Sequence, residues 1–205
     1  MGATIEPIDP VRYLSNWSSG TLGCAIALAA ASVGHKVTVL HGKQSLKPQK
    51  HPRITTTSFD STRDLAAKCG EYWPSQDVLI MAAAVSDYTL VGGTRDKKIR
   101  RTEGQTLELV STDDIVAHLA KSKRESQRVI AFSLASHVEL LNIAEEKLNR
   151  KSVDAIIANP LKTMNSSDIE GVMLTSAGKK LSPEQSVSKA AFAQWLVSIL
   201  PELYK

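Results

Sequence analysis

Small and apolar residues recur at helical spacing through Thr21-Leu-Gly-Cys-Ala-Ile-Ala-Leu-Ala-Ala-Ala-Ser-Val-Gly34, and the closing glycine ends the pattern, which predicts a first helix. Two β-rich runs follow, Lys36-Val-Thr-Val-Leu-His-Gly42 and Arg53-Ile-Thr-Thr-Thr-Ser-Phe59, joined by a polar, proline-containing connection. Ser61 or Thr62 caps a predicted helix over 63–73, with Asp64 in its first turn and Pro74 after its end. Asp77-Val-Leu-Ile-Met-Ala-Ala-Ala-Val85 is apolar without alternation, the pattern of a central strand covered on both faces. Further on, the spacing predicts a helix from Thr112 or Asp113 to about Lys123 and a buried strand over 128–134. Val138, Leu141, Ala144 and Leu148 then mark a helix over 135–151, followed by a strand over 154–158 and a late edge strand over 171–175. A closing helix is predicted over 183–200 with Pro183 in its first turn.

Strands separated by helices predict one α/β domain over 1–205: a Rossmann-like, doubly wound, mainly parallel sheet with helices on both faces and right-handed crossovers. Ligands in such folds bind beyond the carboxyl ends of the strands. That edge gathers residues 84–87, 132–135 and Asn159 beside the start of the first helix. At this start, Ser18 or Ser19 is the expected N-cap, and Gly20 and Gly23 permit close approach of a neighbour. Unpaired N–H groups and the helix dipole then face outward and suit a phosphate. The alternative is an ordinary capped helix packed through its glycines. A fold of this type normally opens with an apolar strand, whereas the sequence begins Met1-Gly-Ala-Thr, so the first strand is expected to be missing.

Composition narrows the function classes. With 205 residues, 42% hydrophobic and 22% charged, the chain is long enough to bury a substantial core, which excludes disordered and fibrous classes. No run approaches the roughly eighteen apolar residues of a membrane span, and no basic segment with an apolar h-region opens the chain, so a cytoplasmic protein without membrane partner is expected. Cys24 and Cys69 sit apart within apolar helical patterns, where cysteine behaves as a small hydrophobe; neither disulfide nor structural zinc is expected. The net charge of +4 is spread out except near 95–101, and no nucleic-acid motif accompanies it. The five histidines follow no ligand spacing, and Trp17, Trp73 and Trp195 are expected to be packing residues.

Glu6-Pro-Ile-Asp-Pro-Val-Arg-Tyr-Leu-Ser-Asn-Trp-Ser-Ser-Gly20 resembles the signature of the phosphopantothenoylcysteine synthetase family, the ligases of coenzyme A biosynthesis. Ala82-Ala-Ala-Val-Ser-Asp-Tyr88, Lys97-Lys-Ile-Arg-Arg101 and Asp154-Ala-Ile-Ile-Ala-Asn159 resemble three further blocks of that family, in the same order. The resemblance covers essentially residues 2–200. It departs at Phe132-Ser-Leu-Ala-Ser136, where the family carries a glutamate, and at Pro160 and Met164-Asn-Ser-Ser-Asp168, segments near the nucleotide base and ribose.

The resemblance implies a ligase that joins 4'-phosphopantothenate to cysteine through an acyl-nucleotide, with CTP favoured over ATP, Mg2+ as cofactor and pyrophosphate released. It implies that Ser18, Ser19 and Gly20 hold the triphosphate, that Lys98 on a flap over about 88–111 neutralises the reacting phosphate oxygens, and that Asp87 is a metal or ribose ligand. Phe132 falls at the nucleotide. Arg12, Ala84 and Asn16 match positions that contact phosphopantothenate, Asn16 also aiding capture of the acyl group by cysteine. Without the motif, Arg12 reads equally as a salt-bridge partner, Asn16 as a helix-entry residue bonding locally, and Lys98 as part of a solvated loop. Family members are dimers, and the alternating run Thr106-Leu-Glu-Leu-Val110 suits an edge strand that pairs with a second copy. A phosphopantothenoylcysteine decarboxylase is a possible partner. Two other classes stay open: a degenerate relative that binds nucleotide or a partner without full ligase activity, and a Rossmann oxidoreductase, the latter disfavoured by the lack of Gly-x-Gly-x-x-Gly and of an acidic residue ending the strand over 36–40.

Overall fold

The computed structural model describes residues 1–101, 104–164 and 166–205. Along the chain run β1 (Gly2–Ala3), β2 (Ile5–Pro7), β3 (Tyr13–Ser15), α1 (Thr21–Ser32), β4 (Val37–Gly42), β5 (Ile54–Phe59) and α2 (Thr62–Tyr72). Next come β6 (Val78–Met81), β7 (Ala83–Ala84), β8 (Tyr88–Leu90), β9 (Leu109–Ser111), α3 (Ile115–Lys121), β10 (Arg128–Ala135), α4 (Leu140–Lys151) and β11 (Ala155–Pro160). The chain closes with β12 (Asp168–Ile169), β13 (Val172–Thr175), β14 (Lys180–Leu181), β15 (Val187–Ser188) and α5 (Lys189–Ile199).

A mixed, parallel-rich sheet forms the middle layer. In the order β14-β13-β11-β10-β6, strands β6, β10 and β11 are parallel, while β13 and β14 join antiparallel. β7 continues the line of β6 and pairs with β1, whose neighbour on the other side is β4: Gly42 N–H donates to Met1 O at 3.0 Å. The parallel pair β4–β5 extends the sheet outward from there. Helices cover both faces. Residues of α2, α3 and α4 pack with Val129, Ala131 and Ile156 on one face, and α1 and α5 pack with Ile130, Ile157 and Met173 on the other. The alternation of β10 between these two cores is the period-two consequence of its pleat.

Several expectations shift. The run over 77–85 is broken at Ala82, whose N–H turns back to Ile80 O at 3.1 Å, so its ladder partner changes from β10 to β1. Where no first strand is expected, Gly2–Ala3 pairs with Ala83–Ala84. The predicted edge strand over 171–175 is flanked by β14, and the closing helix starts at Lys189 under the cap of Ser188, whose Oγ accepts from Ala191 N, well after Pro183. Asp114 caps α3 in place of Thr112 or Asp113, accepting from Ala117 N at 3.1 Å. Ser61 caps α2 as expected, and buried Glu6 accepts from Thr62 N at 2.8 Å, a carboxylate set at the positive end of that helix.

Candidate active site

The motif over 6–20 folds as the β2–β3 hairpin and then delivers the chain to α1. The expected serine cap is absent. Gly20 is the N-cap residue, at φ +82° in the left-handed region open to glycine, and no side chain among the described residues caps the helix. The Ser19 hydroxyl pairs instead with Thr21 Oγ1 at 2.7 Å, and the Ser19 carbonyl accepts from Leu46 N at 2.9 Å. Ser19 Oγ also accepts from Thr21 N at 3.4 Å, and the following N–H groups of the first turn border, with the dipole behind them, a small cavity of about 90 Å3 lined by 17–23, Ala82 and Met164. Gly23 is required for packing, since a Cβ there would lie 2.3 Å from Met1 Cβ.

A larger cleft of about 320 Å3 adjoins it, walled by Ala3, Ile5, Tyr13, Ser15, Asn16, Trp17, Ser18, Gln44 and Ser45. Asn16 Nδ2 donates to Val85 O at 2.9 Å and, at longer range, to Ala84 O at 3.4 Å. Carbonyls only accept, which fixes the amide orientation. Asn16 Oδ1 has no partner among the described residues, leaving an acceptor for the cleft. Behind the hairpin, Thr4 Oγ1 accepts from Ser86 N at 2.8 Å and from Thr62 Oγ1 at 3.2 Å, a buried network that ties the site to the segment after β7 and to α2.

The other predicted residues fall around this centre unevenly. Ala84 meets Asn16 through its carbonyl. Arg12 is engaged internally: Nε and Nη2 donate to buried Asp9 Oδ2 at 3.0 and 2.5 Å, and Nη2 also donates to Ile99 O at 2.7 Å, leaving Nη1 without a partner among the described residues. Burial opposes the Asp9 charge, yet bonds from the Ile99, Val11 and Arg12 N–H groups and the Arg12 side chain outweigh it and hold its carboxyl well below the ordinary range. Lys98 is exposed and makes no hydrogen bond or ion pair among the described residues. Asp87 is exposed and Phe132 half-buried against the α1–α5 core; neither lines the two cavities. Half-buried Lys147 has its ammonium pKa lowered, chiefly by burial and then by the charges of Lys151 and Arg150, with the Asp87 charge opposing. Asn159 donates to Thr163 Oγ1 at 3.1 Å. Of the departing loop over 164–168, Asn165 lies outside the described residues, as do Thr102 and Glu103 of the flap.

Trp17 corrects one expectation: it is 80% exposed and walls both cavities, while Trp73 and Trp195 are packing residues. Gln44 and Ser45 were not anticipated. Gln44 accepts from Tyr13 Oη at 2.6 Å, and Ser45 seats against Gly2, where a Cβ would lie 1.9 Å from Ser45 Oγ. The signal for both is positional, a polar stretch directly after the strand end at Gly42.

The sequence profile of the DNA/pantothenate metabolism flavoprotein C-terminal domain matches residues 1–203. The chain belongs to this family. It is the phosphopantothenoylcysteine synthetase family that the motifs resemble. Among relatives of the family, a cysteine/cysteine sulfinic acid decarboxylase from an unknown prokaryotic organism is 42% identical over 162 residues, covering 78% of this chain and 44% of that protein. The coenzyme A biosynthesis bifunctional protein CoaBC of Escherichia coli K12 is 34% identical over 189 residues, covering 89% of this chain and 46% of its own length. The chain thus spans about half the length of these curated relatives. Among solved structures, the DNA/pantothenate metabolism flavoprotein from Streptococcus pneumoniae superposes with a TM-score of 0.84 at 26% identity, covering 100% of this chain and 96% of that one. The C-terminal domain of CoaBC gives 0.80 at 27%, covering 99% and 92%.

Proposed function

We propose that this chain is a phosphopantothenate–cysteine ligase. The observation that carries the reading is the opening of the uncapped α1 N-terminus beside the cleft that holds Asn16, a phosphate cradle next to a fixed hydrogen-bonding amide. In the first half reaction the phosphopantothenate carboxylate attacks the nucleotide α-phosphorus, and pyrophosphate leaves. In the second the cysteine amine attacks the acyl carbon, an amide forms, the nucleoside monophosphate leaves and the amine gives up a proton. The N–H groups at the start of α1 bind the triphosphate, and Lys98, without a partner among the described residues, offsets charge growing on its oxygens. Asn16 Oδ1 is the acceptor that orients the incoming amine, while Arg12 Nη1 and the backbone at Ala84 serve the phosphopantothenate.

CTP is the favoured nucleotide and ATP the alternative; exposed Trp17 offers a ring on the cavity walls, while Phe132 at the nucleotide and Asp87 at the ribose or metal, both outside the two cavities, are contacts the family likeness implies. Among the described residues there is no group of three or more His, Cys, Asp or Glu side chains able to hold a metal. Mg2+ would be carried mainly by phosphate oxygens and water, with Asp87 as the one carboxylate to hold it; bound there, it would gather the phosphates and neutralise part of their charge. We further propose a cytoplasmic homodimer paired through β9, and a decarboxylase acting on the product, in keeping with relatives named as a bifunctional protein and as a decarboxylase.

Incubating the protein with phosphopantothenate, Mg2+ and CTP or ATP, with and without cysteine, tests the reading through pyrophosphate and product. Cysteine-dependent product formation is expected. Nucleotide binding seen as a Trp17 fluorescence change, with no pyrophosphate from either nucleotide, would instead favour the degenerate binding protein.

A further inference from the structure

The flap does not hang free. Thr94 Oγ1 donates to Pro7 O at 3.3 Å, Arg95 N to Ile8 O at 3.0 Å, and Ile99 N to Asp9 Oδ2 at 3.0 Å, while the Ile99 carbonyl accepts from Arg12 Nη2 at 2.7 Å. Both backbone groups of Ile99 are thus taken by one side-chain pair, as a neighbouring strand would take them. Asp9 divides its oxygens between two tasks: Oδ1 accepts from Val11 N at 2.8 Å and Arg12 N at 2.9 Å and shapes the hairpin turn, while Oδ2 receives Arg12 and the flap. Its side chain is fully buried, although a carboxylate is costly to bury unless its partners satisfy it.

We infer that Asp9, through Arg12, is a positioning residue: the pair clamps the Ile99 peptide and so sets where Lys98 stands. The inference rests on the ligase reading for what Lys98 does, but the clamp itself has its own readout. Ile99 lies between Lys98 and Arg100, so any placement of the lysine follows from how that peptide is held. The same clamp occupies two of the three guanidinium nitrogens of Arg12, which makes the arginine part of the flap's seat as well as a candidate substrate contact.

Asp9→Asn separates the two tasks. An asparagine keeps an oxygen at Oδ1 for the turn but presents an NH2 at Oδ2, donor against donor, toward Ile99 N and Arg12. Ile99→Pro deletes the same bond from the other side and leaves Asp9 intact. Limited trypsin digestion reads the clamp directly, because the segment carries Lys97, Lys98, Arg100 and Arg101. Faster cleavage after Arg100 and Arg101 is expected in both variants, with the rest of the chain still resistant. With phosphopantothenate, Mg2+ and CTP, Asp9→Asn is expected to lower kcat of pyrophosphate release by about 10²-fold, as for a misplaced reacting group, with KM less affected. Adding Lys98→Gln to Asp9→Asn should then cost little more than Lys98→Gln alone, because both remove the same contribution. Unchanged cleavage in folded Asp9→Asn and Ile99→Pro would overturn the clamp. Altered cleavage with losses that multiply would overturn its link to Lys98. If the unmodified protein releases no pyrophosphate, the ligase reading fails, and the digestion alone decides the clamp.

Discussion

Asn16 and Lys98 should fail at different steps, for reasons visible in their contacts. The Asn16 amide nitrogen points at two carbonyls, so Asn16→Asp sets a carboxylate against Ala84 O and Val85 O and drives the side chain from its seat. Acyl-nucleotide formation should persist while capture by cysteine falls by about 10²-fold or more, with the intermediate accumulating in quenched samples. Lys98→Gln removes a cation that has no partner among the described residues, and even the cysteine-independent half reaction should slow by about 10²–10³-fold in pyrophosphate release. Of these side chains the sequence shows identity and order but not engagement. That Arg12 would spend its fork on Asp9 depends on residue 99 arriving from 87 positions away, a contact no local pattern encodes. Trp17 departs from expectation for a related reason: apolar character predicts burial on average, but at its place between the hairpin and the start of α1 the described residues leave it 80% exposed. Cys69 is simpler. Burial pushes its thiol up to about 11, so at pH 8 the native protein should take up alkylating reagent at Cys24 well before Cys69, as peptide mass spectrometry would show.

At the scale of elements, long periodic segments were legible and short ones were not. α1, α2, β4, β5, β10 and β11 lie within a residue or two of their predicted spans because each carries its own apolar stripe or, as in the threonine-rich β5, a β-branched run. The β2–β3 hairpin, which builds the cleft, has three residues a side and draws its stability from partners far away, so no period announces it. Serine before a helix is the commonest cap signal, yet α1 is entered through Gly20 in the left-handed region, and the open N-terminus that results is more useful to an anion than a capped one. Packing between elements offers a test independent of activity. Gly171, just before β13, faces the ring of fully buried Phe192 on α5, and a Cβ there would lie 2.4 Å from Cε2. Gly171→Ala should therefore cost about 1–3 kcal/mol through overpacking and lower the thermal midpoint measured by circular dichroism.

For the whole molecule, the apolar side chains of Tyr88, Val91, Leu109 and Val110 stand exposed on and beside the β8–β9 arm, a surface suited to a second copy. Light scattering at micromolar concentration should give twice the chain mass, and Val110→Lys should reduce it toward the monomer. Acid should weaken the fold through carboxylates held below their ordinary values, among them Asp64 by its bond to Lys68 and Asp114, where Lys151 and the Ala117 N–H outweigh burial. Their contribution is complete above the unfolded value of 3.8 and is lost as the pH falls through the lower folded value, so denaturant midpoints should hold steady above that value and drop below it. The central claim, that residues 9–20 and the flap form a carboxylate-activating site, is tested most directly by mass spectrometry of a quenched reaction containing phosphopantothenate, Mg2+ and CTP or ATP but no cysteine. The account predicts a covalent phosphopantothenoyl-nucleotide, matched by released pyrophosphate and consumed when cysteine is added. Nucleotide bound and unchanged, with neither adduct nor pyrophosphate from either triphosphate, would contradict it.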